Sequence, residues 1–183
     1  MLSQATFISG MTALKKGYIG WEFDIKDEIQ VKFWYSAFKN LSDEQFKNMI
    51  TEYYAHNKYP PKCARDLTVV LVDRVMDNAK IKPVQALDYV RNIVSDRGGW
   101  QFEGREEIYS DLKKYPALYE TVHEFEGELR NMSADDTYTA DRFRKAYEIR
   151  LRANAIRQVD TVLGLNIPDN SKLLGTGFLP SEL

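Results

Sequence analysis

Apolar residues recur every three to four positions along almost the whole chain, and this spacing constrains the fold more than any other feature of the sequence. The clearest run follows Ser42, where one helical face carries Phe46, Met49, Ile50, Tyr53 and Tyr54. Ser42 and Gln45 form the S-x-x-Q pattern of a capping box at its start. Strand-like alternation is nearly absent. The sequence therefore predicts an all-α protein with at least six helices.

Glycine, proline and composition divide this helical pattern into three parts. We predict an N-terminal helical bundle over residues 1–72 and a second helical unit over residues 73–163 that ends in a long C-terminal helix with a cap at Thr139. Residues 164–183 are rich in Asn, Pro, Asp, Ser and Gly, which predicts a mobile tail that carries the apolar pair Phe178-Leu179. In the bundle, a helix over about 25–40 is expected to bury Phe33 and Trp34.

Two adjacent prolines, Pro60 and Pro61, interrupt the bundle. Pro60 lacks an amide donor and biases Tyr59 away from helical dihedrals, so the preceding helix must end near Asn57. Pro61 has a φ suited to a first helical turn, which predicts that a short helix starts at once. The segment is expected to form a sharp, stiff corner.

Composition excludes several classes of protein. The chain of 183 residues has 44% hydrophobic residues and a net charge of −2, so it is neither disordered as a whole nor strongly basic or acidic. Its single cysteine, Cys63, cannot close an intramolecular disulfide, and with two histidines it cannot build a finger-type zinc site. No apolar run is long enough to span a membrane, and no secretion signal is recognisable. These features indicate the cytosol.

Motifs of catalysis and cofactor binding are missing or incomplete. No glycine lies in the register of a G-x-x-x-x-G-K-[ST] phosphate loop, and His123-Glu124 starts an H-E-x-x-H pattern whose second histidine is absent. Glu120, Glu124 and Glu128 share a helical stripe, but the E-x-x-H motif that accompanies such carboxylates in di-metal bundles is lacking. We therefore expect no enzymatic activity, no metal and no cofactor.

Positive charge is concentrated on the last long helix. Six basic residues, set against Glu148 alone, lie there: Arg142, Arg144, Lys145, Arg150, Arg152 and Arg157. They cannot all share the apolar face of Phe143 and Tyr147, so they project toward water or toward an acidic partner. Three aromatic residues beside turns, Tyr54, Tyr59 and Trp100, are further candidates for partner binding because amphipathic rings are enriched at interfaces.

The stretch from Phe33 to Leu67, read as a whole, resembles the N-terminal domain of the phage replicative-helicase loader/inhibitor family. The family pattern is a helix with a tryptophan, a helix that ends in aromatics, a Tyr-Pro-Pro corner and a helix with a leucine. These features fall here on Trp34, on Tyr53-Tyr54, on Tyr59-Pro60-Pro61 and on Ala64 with Leu67. The resemblance covers about the first 70 residues.

This resemblance implies a non-enzymatic accessory protein of phage DNA replication. Family members bind the hexameric replicative helicase, hold it inactive off DNA and deliver it to an origin-binding protein. In the simplest members a tail that folds on the helicase follows the N-terminal domain, whereas this chain continues for more than 100 residues after Leu71, mostly with helical patterning. A folded unit therefore replaces or extends the tail.

Two other functions agree with the sequence. One is a DNA-binding replication or regulatory protein that uses the helix from Arg142 to Arg157, and the other is an inhibitor of a different host replication protein. The helicase itself can be that of the phage or of the host. For the partner surface, the basic helix is the first choice: Arg144→Glu with Arg152→Glu is expected to weaken binding more than deletion of Asn170 to Leu183.

Overall fold

The computed structural model describes residues 1–165, apart from the side chains of Phe102 and Glu103. Eight α-helices and no β-strand are found in that range: α1 Gln4–Gly17, α2 Glu28–Phe38, α3 Asp43–His56, α4 Ala64–Asp77, α5 Pro83–Asp96, α6 Phe102–Leu112, α7 Pro116–Asn131 and α8 Thr137–Leu163. The prediction of an all-α protein with a long last helix is confirmed. The pair Phe178-Leu179 lies outside the described residues.

The chain divides into two compact units. Among the described residues, unit 1 consists of Met1–Leu67 together with residues 158–165, and unit 2 is Thr68–Arg157. The divisions fall inside α4 and inside α8, so each of these helices contributes residues to both units. The predicted division into a bundle over residues 1–72 and a second unit over 73–163 stays a prediction, and the predicted tail over 164–183 lies mostly beyond the described range.

The core of unit 1 is aromatic. The Phe46 ring on α3 lies 5.5 Å from the Phe7 ring on α1 and 5.7 Å from the Phe38 ring on α2. A Cβ at Gly10 would lie 2.7 Å from the Phe46 ring, so α1 needs glycine at this point of its approach to α3. Tight aromatic packing of this kind holds the three helices without a disulfide.

Hydrogen bonds from capping side chains define the starts of α3 and α2. The predicted capping box at the start of α3 is present, with Ser42 Oγ accepting from the Gln45 amide and the Gln45 side chain accepting from the Ser42 amide. The prediction for α2 was partly wrong. Asp27 caps α2 by accepting from the Ile29 and Gln30 amides, so the helix starts at Glu28, and the Phe33 side chain is 69% exposed rather than buried.

Unit 2 has its own core, built from the apolar faces of α5, α6, α7 and the first part of α8. Its fully buried members include Leu87, Ile108, Leu118, Val122 and Phe143. Pro83 occupies the first turn of α5 as predicted, and Gly98 and Gly99, both with positive φ, follow its end.

Ion pairs tie α6 to α7 around one carboxylate. Arg105 forks onto Glu126 with Nε–Oε1 and Nη2–Oε2 distances of 2.8 and 2.9 Å, and the Tyr109 hydroxyl donates to Glu126 at 2.7 Å. Arg130 also donates to this carboxylate. Hydrogen bonding from Arg105, above all, lowers the pKa of Glu126 to about 2.

The apolar series on α8 turns gradually around the helix. Its members follow one another at intervals of four residues: Phe143, Tyr147, Leu151, Ala155, Val159 and Leu163. A four-residue step advances about 40° beyond a full turn of a helix with 3.6 residues per turn, so no single straight face contains them all. Different surroundings therefore bury the two ends of α8. The predicted Thr139 cap is wrong, because Asp136 Oδ1 accepts from the Thr139 amide and the helix begins at Thr137.

Candidate functional site: an aromatic cleft at the proline corner

The backbone before the two prolines is held by tyrosine hydroxyls. Tyr18 Oη donates to the Asn57 carbonyl at 2.7 Å, and Tyr53 Oη donates to the Tyr59 carbonyl at 3.2 Å. Burial of the Tyr53 ring raises its pKa to about 12, so this hydroxyl keeps its proton at neutral pH. The segment from Asn57 to Tyr59 is thereby fixed to α1 and α3.

The backbone after the prolines is held by Asp66. Its Oδ2 accepts from the Lys62 amide at 2.6 Å and from the Cys63 amide at 3.1 Å. These bonds form a turn between Pro61 and the helix, so α4 begins at Ala64 and not at Pro61 as predicted. The new helix continues to Asp77. The stiff corner is present, with Pro61 buried and the Tyr59 side chain 70% exposed.

A cleft of about 670 Å³ opens beside this corner. Its apolar lining consists of Trp21, Phe23, Trp34, Tyr59, Pro60 and Pro61. Gly20, Glu22, Gln30 and Lys62 complete the lining. All ten residues belong to unit 1. We call this site the aromatic cleft.

The aromatic rings of the cleft support one another. Trp21 stacks on Phe23 with ring centroids 5.0 Å apart, and Trp34 meets both rings edge to face at 5.7–5.8 Å. Phe23 and Trp34 are buried, whereas Trp21 is only half-buried. The Phe23 carbonyl accepts from Lys15 Nζ, and the Asp24 amide donates to Gln30 Oε1 at 2.6 Å, which fixes the loop that carries Trp21. The buried rings of Phe23 and Trp34 therefore form the base of the cleft, and the half-buried Trp21 exposes part of its ring.

Charge is distributed unevenly around the cleft. Lys58 and Lys62 flank the Tyr59-Pro60-Pro61 sequence, both are exposed, and within residues 1–165 neither forms an ion pair. Lys58 Nζ lies 5.9 Å from the centroid of the Tyr59 ring. The acidic residue of the lining, Glu22, is exposed and precedes Phe23 in the loop.

Tyr54 and Trp100 lie apart from this cleft. Tyr54 is 53% exposed, packs against Gly17 and meets the Tyr18 ring edge to face at 5.4 Å, but it does not line the cleft. Trp100, in unit 2, lines a smaller groove of about 300 Å³ with Gly98, Gly99 and Met132, and Arg130 lies 6.0 Å from its ring. Of the three predicted aromatic candidates, only Tyr59 lines the aromatic cleft.

Most of the predicted basic surface on α8 is occupied by contacts within the chain. Arg142 pairs with Glu128 at 2.8 Å and lies over the rings of Phe125 and Tyr138, at 5.3 and 5.6 Å. Arg144 pairs with Asp141 at 3.2 Å, Arg150 with Glu124, and Arg152 with Asp73 at 3.1 Å. Arg157 donates to Asn154 at 3.4 Å. Lys145 is exposed and has no such partner in the part of the chain that the structure describes.

The sequence interpretation missed Trp21, Phe23, Gln30 and Lys62 as members of one site. They come from two segments, residues 20–34 and 59–62, that meet only in the folded unit. One signal was available: Gly20, which takes φ = 84°, marks a turn directly before Trp21.

Neither metal-binding clusters nor membrane-spanning helices occur among residues 1–165. No group of three or more His, Cys, Asp or Glu side chains is placed there to hold a metal ion. The described helices are also too short or too polar to cross a bilayer. The lining of the aromatic cleft is mostly apolar and aromatic, which is typical of sites that bind another molecule.

Comparison with known families places this cleft in a recognised domain. Residues 6–65, which are 60 of the 183 residues, match the family model of the N-terminal domain of phage helicase loader/inhibitor proteins. The predicted resemblance is thereby confirmed. No curated protein and no solved structure matches the chain significantly. All ten residues that line the aromatic cleft lie within the matched range.

Proposed function

We propose that this protein is an accessory factor of phage DNA replication that binds a replicative DNA helicase and inhibits or loads it, without catalysis of its own. The observation that carries the proposal is the match of residues 6–65 to the N-terminal domain of helicase loader/inhibitor proteins. The proposed place of action is the cytosol of the bacterial host. An origin-binding protein is the proposed second partner, because loading requires that the helicase be delivered to an origin.

The chemistry of unit 1 supports an adaptor. Its exposed apolar features include the aromatic cleft and an adjacent row on α2, where Ile29 is 82% and Phe33 69% exposed. On a helix this row lies next to the Gln30–Trp34 row that lines the cleft. Exposed aromatic and aliphatic side chains that adjoin a preformed cleft are typical of surfaces that bind other proteins.

Mixing the purified protein with purified hexameric helicase tests the proposal. We expect a complex in size-exclusion chromatography with light scattering, and suppression of helicase ATPase that saturates at the stoichiometry of that complex. Phage and host helicases are tested separately, and an unrelated hexameric ATPase is the control. The protein alone should hydrolyse no ATP. If the protein forms a complex with neither the phage helicase nor the host helicase, the proposal is contradicted.

Loading is distinguished from inhibition by adding the origin-binding protein and a DNA fork. A loader restores unwinding when the origin-binding protein is present, whereas an inhibitor keeps the helicase inactive under the same conditions. Direct binding of the origin-binding protein is measured in the same chromatographic assay.

DNA binding is the alternative function, and one observation favours it. Tyr138, Arg142, Lys145, Ile149 and Arg152 recur at intervals of three to four residues, so they form one outer row of α8, with Tyr138 and Ile149 about 70% exposed. Alternating basic and apolar side chains are found on surfaces that bind nucleic acids. Fluorescence anisotropy with labelled oligonucleotides tests this, since an affinity that falls steeply with salt indicates phosphate contacts. Salt-independent binding, or none, would exclude it.

A further inference from the structure

The aromatic cleft differs from an ordinary surface depression because it is formed before any ligand arrives. Tyr18, Tyr53 and Asp66 fix the backbone of the corner on one side, and Gln30 and Lys15 fix the loop of Trp21 on the other. A ligand that binds here orders little of the protein, so little of the binding free energy is lost to ordering. Its volume of about 670 Å³ is within the range of ligand-binding clefts and is large enough for a short peptide segment.

The shape of the lining favours an extended segment that contains proline or a flat apolar side chain. Trp21 presents a half-buried ring that stacks on Phe23, and Tyr59, next to Pro60 in the lining, presents an exposed ring. Aromatic-lined grooves are the surfaces on which proline-containing, extended peptides bind. Such peptides leave few backbone donors to satisfy, which suits a cleft with few polar groups.

The charge of the corner defines the flanks of that segment. Lys58 and Lys62 stand on either side of the Tyr-Pro-Pro sequence without an ion-pair partner among residues 1–165. The nearest carboxylate along the chain, Asp66, is engaged with the Lys62 and Cys63 amides. These two ammonium groups, which form no ion pair among residues 1–165, lie beside an apolar cleft, where they attract carboxylates and repel basic peptides. Glu22 occupies the lining as a single opposing charge.

We propose that the aromatic cleft binds an extended acidic segment of a partner protein, with a proline or apolar side chain between Trp21 and Tyr59 and with carboxylates paired to Lys58 and Lys62. The identification of the partner as the replicative helicase rests on the proposed function. The peptide-binding property of the aromatic cleft does not depend on that function. The aromatic cleft is then the contact that determines which segment of the partner is recognised.

A peptide titration tests the inference on the full chain. The probe is a blocked peptide with a central Pro-Leu-Pro flanked on each side by two aspartates, and the readouts are tryptophan fluorescence and calorimetry. We expect saturable binding that weakens with salt, since exposed ion pairs are screened. A peptide with lysines in place of the aspartates should bind at least about tenfold more weakly, since attraction becomes repulsion at two sites. Equal binding of both peptides, or no binding of the acidic one, would overturn the inference.

Variants of exposed residues assign the contact. Lys58→Glu with Lys62→Glu should weaken acidic-peptide binding about tenfold, whereas Lys16→Glu with Lys39→Glu changes the net charge equally at exposed positions outside the cleft and should leave it unchanged. Tyr59→Ala should weaken it as well, and Tyr59→Phe should retain it, because the hydroxyl has no role in the apolar contact. Circular dichroism checks that each variant remains folded. Equal losses in the cleft pair and in the control pair would refute the assignment.

The same variants separate this inference from the proposed function. If the wild-type protein binds helicase and the cleft variants bind it equally well, the inference about the partner fails while the function stands. If the wild-type protein binds no helicase but binds the acidic peptide, the function fails and the peptide specificity of the cleft stands. If the wild-type protein self-associates, and if Tyr59→Ala abolishes this self-association without any effect on peptide binding, the occupant of the aromatic cleft is a second copy of this chain.

Discussion

At the scale of single residues, Glu126 is a carboxylate whose pKa lies far below its ordinary value. It is 13% exposed, accepts a forked pair of hydrogen bonds from Arg105 and accepts another from Tyr109. Burial and the bond to Glu126 raise the pKa of Tyr109, so its hydroxyl remains a donor over the whole neutral range. This network connects α6 to α7 through side chains rather than through the apolar core alone.

Glu126→Gln is therefore expected to lower the free energy of unfolding by about 1 to 3 kcal/mol at pH 7, because charge-assisted bonds are lost. The folded pKa of about 2 lies below the ordinary value, so the carboxylate stabilises the fold above the ordinary pKa and loses this effect as the pH falls toward 2. The difference between wild type and variant should shrink over that acidic range. Denaturant titrations at several pH values measure it.

Glu106→Gln is the matched control for this prediction. Glu106 lies next to Arg105 on α6, is exposed and makes no ion pair within residues 1–165. Its replacement should change stability by less than about 0.5 kcal/mol at every pH. A Glu126 effect that stays constant between neutral and acidic pH would contradict the assigned role of the carboxylate charge.

At the scale of elements, the starts of α3 and α5 were predictable, whereas other helix starts and the exposed faces were not. Ser42 with Gln45, and Pro83, are local signals whose geometry is satisfied within one turn, so the sequence alone identified the starts of α3 and α5. Phe33 was misassigned because both rows of α2 have helical spacing, and only the packing of neighbouring elements decides which one is buried. The aromatic cleft was missed for a related reason, since its two segments meet only in the folded unit.

The basic helix shows the same limit. Arg142 pairs with Glu128, which is 14 residues away in the sequence, and Arg152 pairs with Asp73, which is 79 residues away. No sequence pattern indicates such pairs. These contacts weaken the physical case for α8 as a binding surface, because paired arginines present less net charge. The predicted partner role of this helix stays a prediction.

Lys145→Glu is a sharper test of that role than the double reversal of Arg144 and Arg152. Arg152→Glu would place a carboxylate beside Asp73, so a loss of binding could arise from altered folding. Lys145 is exposed and unpaired within the described chain, so its reversal changes the surface alone. If α8 contacts an acidic partner or DNA, Lys145→Glu should weaken binding about three- to tenfold in a pull-down or anisotropy assay.

Glu148→Gln changes the charge of α8 in the opposite direction from Lys145→Glu, because it makes the surface of the helix more positive. It removes the acidic charge between Lys145 and Arg150, so it should leave binding unchanged or strengthen it slightly if α8 is the contact. Unchanged binding in Lys145→Glu, combined with the loss expected for the cleft variants, would assign the partner to unit 1.

At the scale of the whole molecule, unit 1 is made from both ends of the described chain. Asn40 Nδ2 donates to the Leu163 carbonyl at 2.8 Å, and Arg65 pairs with Asp160 at 3.3 Å. Val159 and Leu163 are buried in the same stretch of α8. The last turns of α8 thus belong to the same compact unit as the stretch over residues 6–65 that matches the family model.

A fragment of residues 1–79, which keeps α4 whole, is expected to be less stable than the same residues in the full chain. The fragment lacks Val159 and Leu163, and burial of each of these side chains contributes about 1.5 to 3 kcal/mol to the free energy of unfolding. Hydrogen exchange should show faster exchange of the α1 and α3 amides in the fragment than in the full chain. Asn40→Ala in the full chain is the milder variant, with an expected loss of about 0.5 to 1.5 kcal/mol. Equal protection in fragment and full chain would show that residues 1–79 fold independently.

The four-residue series of α8 has a consequence for how such a chain can change during evolution. Successive residues of a helix are rotated by about 100°, so a single insertion between Tyr147 and Val159 would turn Val159 and Leu163 away from the surroundings that now bury them. Conservative replacement of one apolar residue by another leaves this phase intact. Relatives with the same architecture are therefore expected to vary in composition along α8 far more freely than in its length.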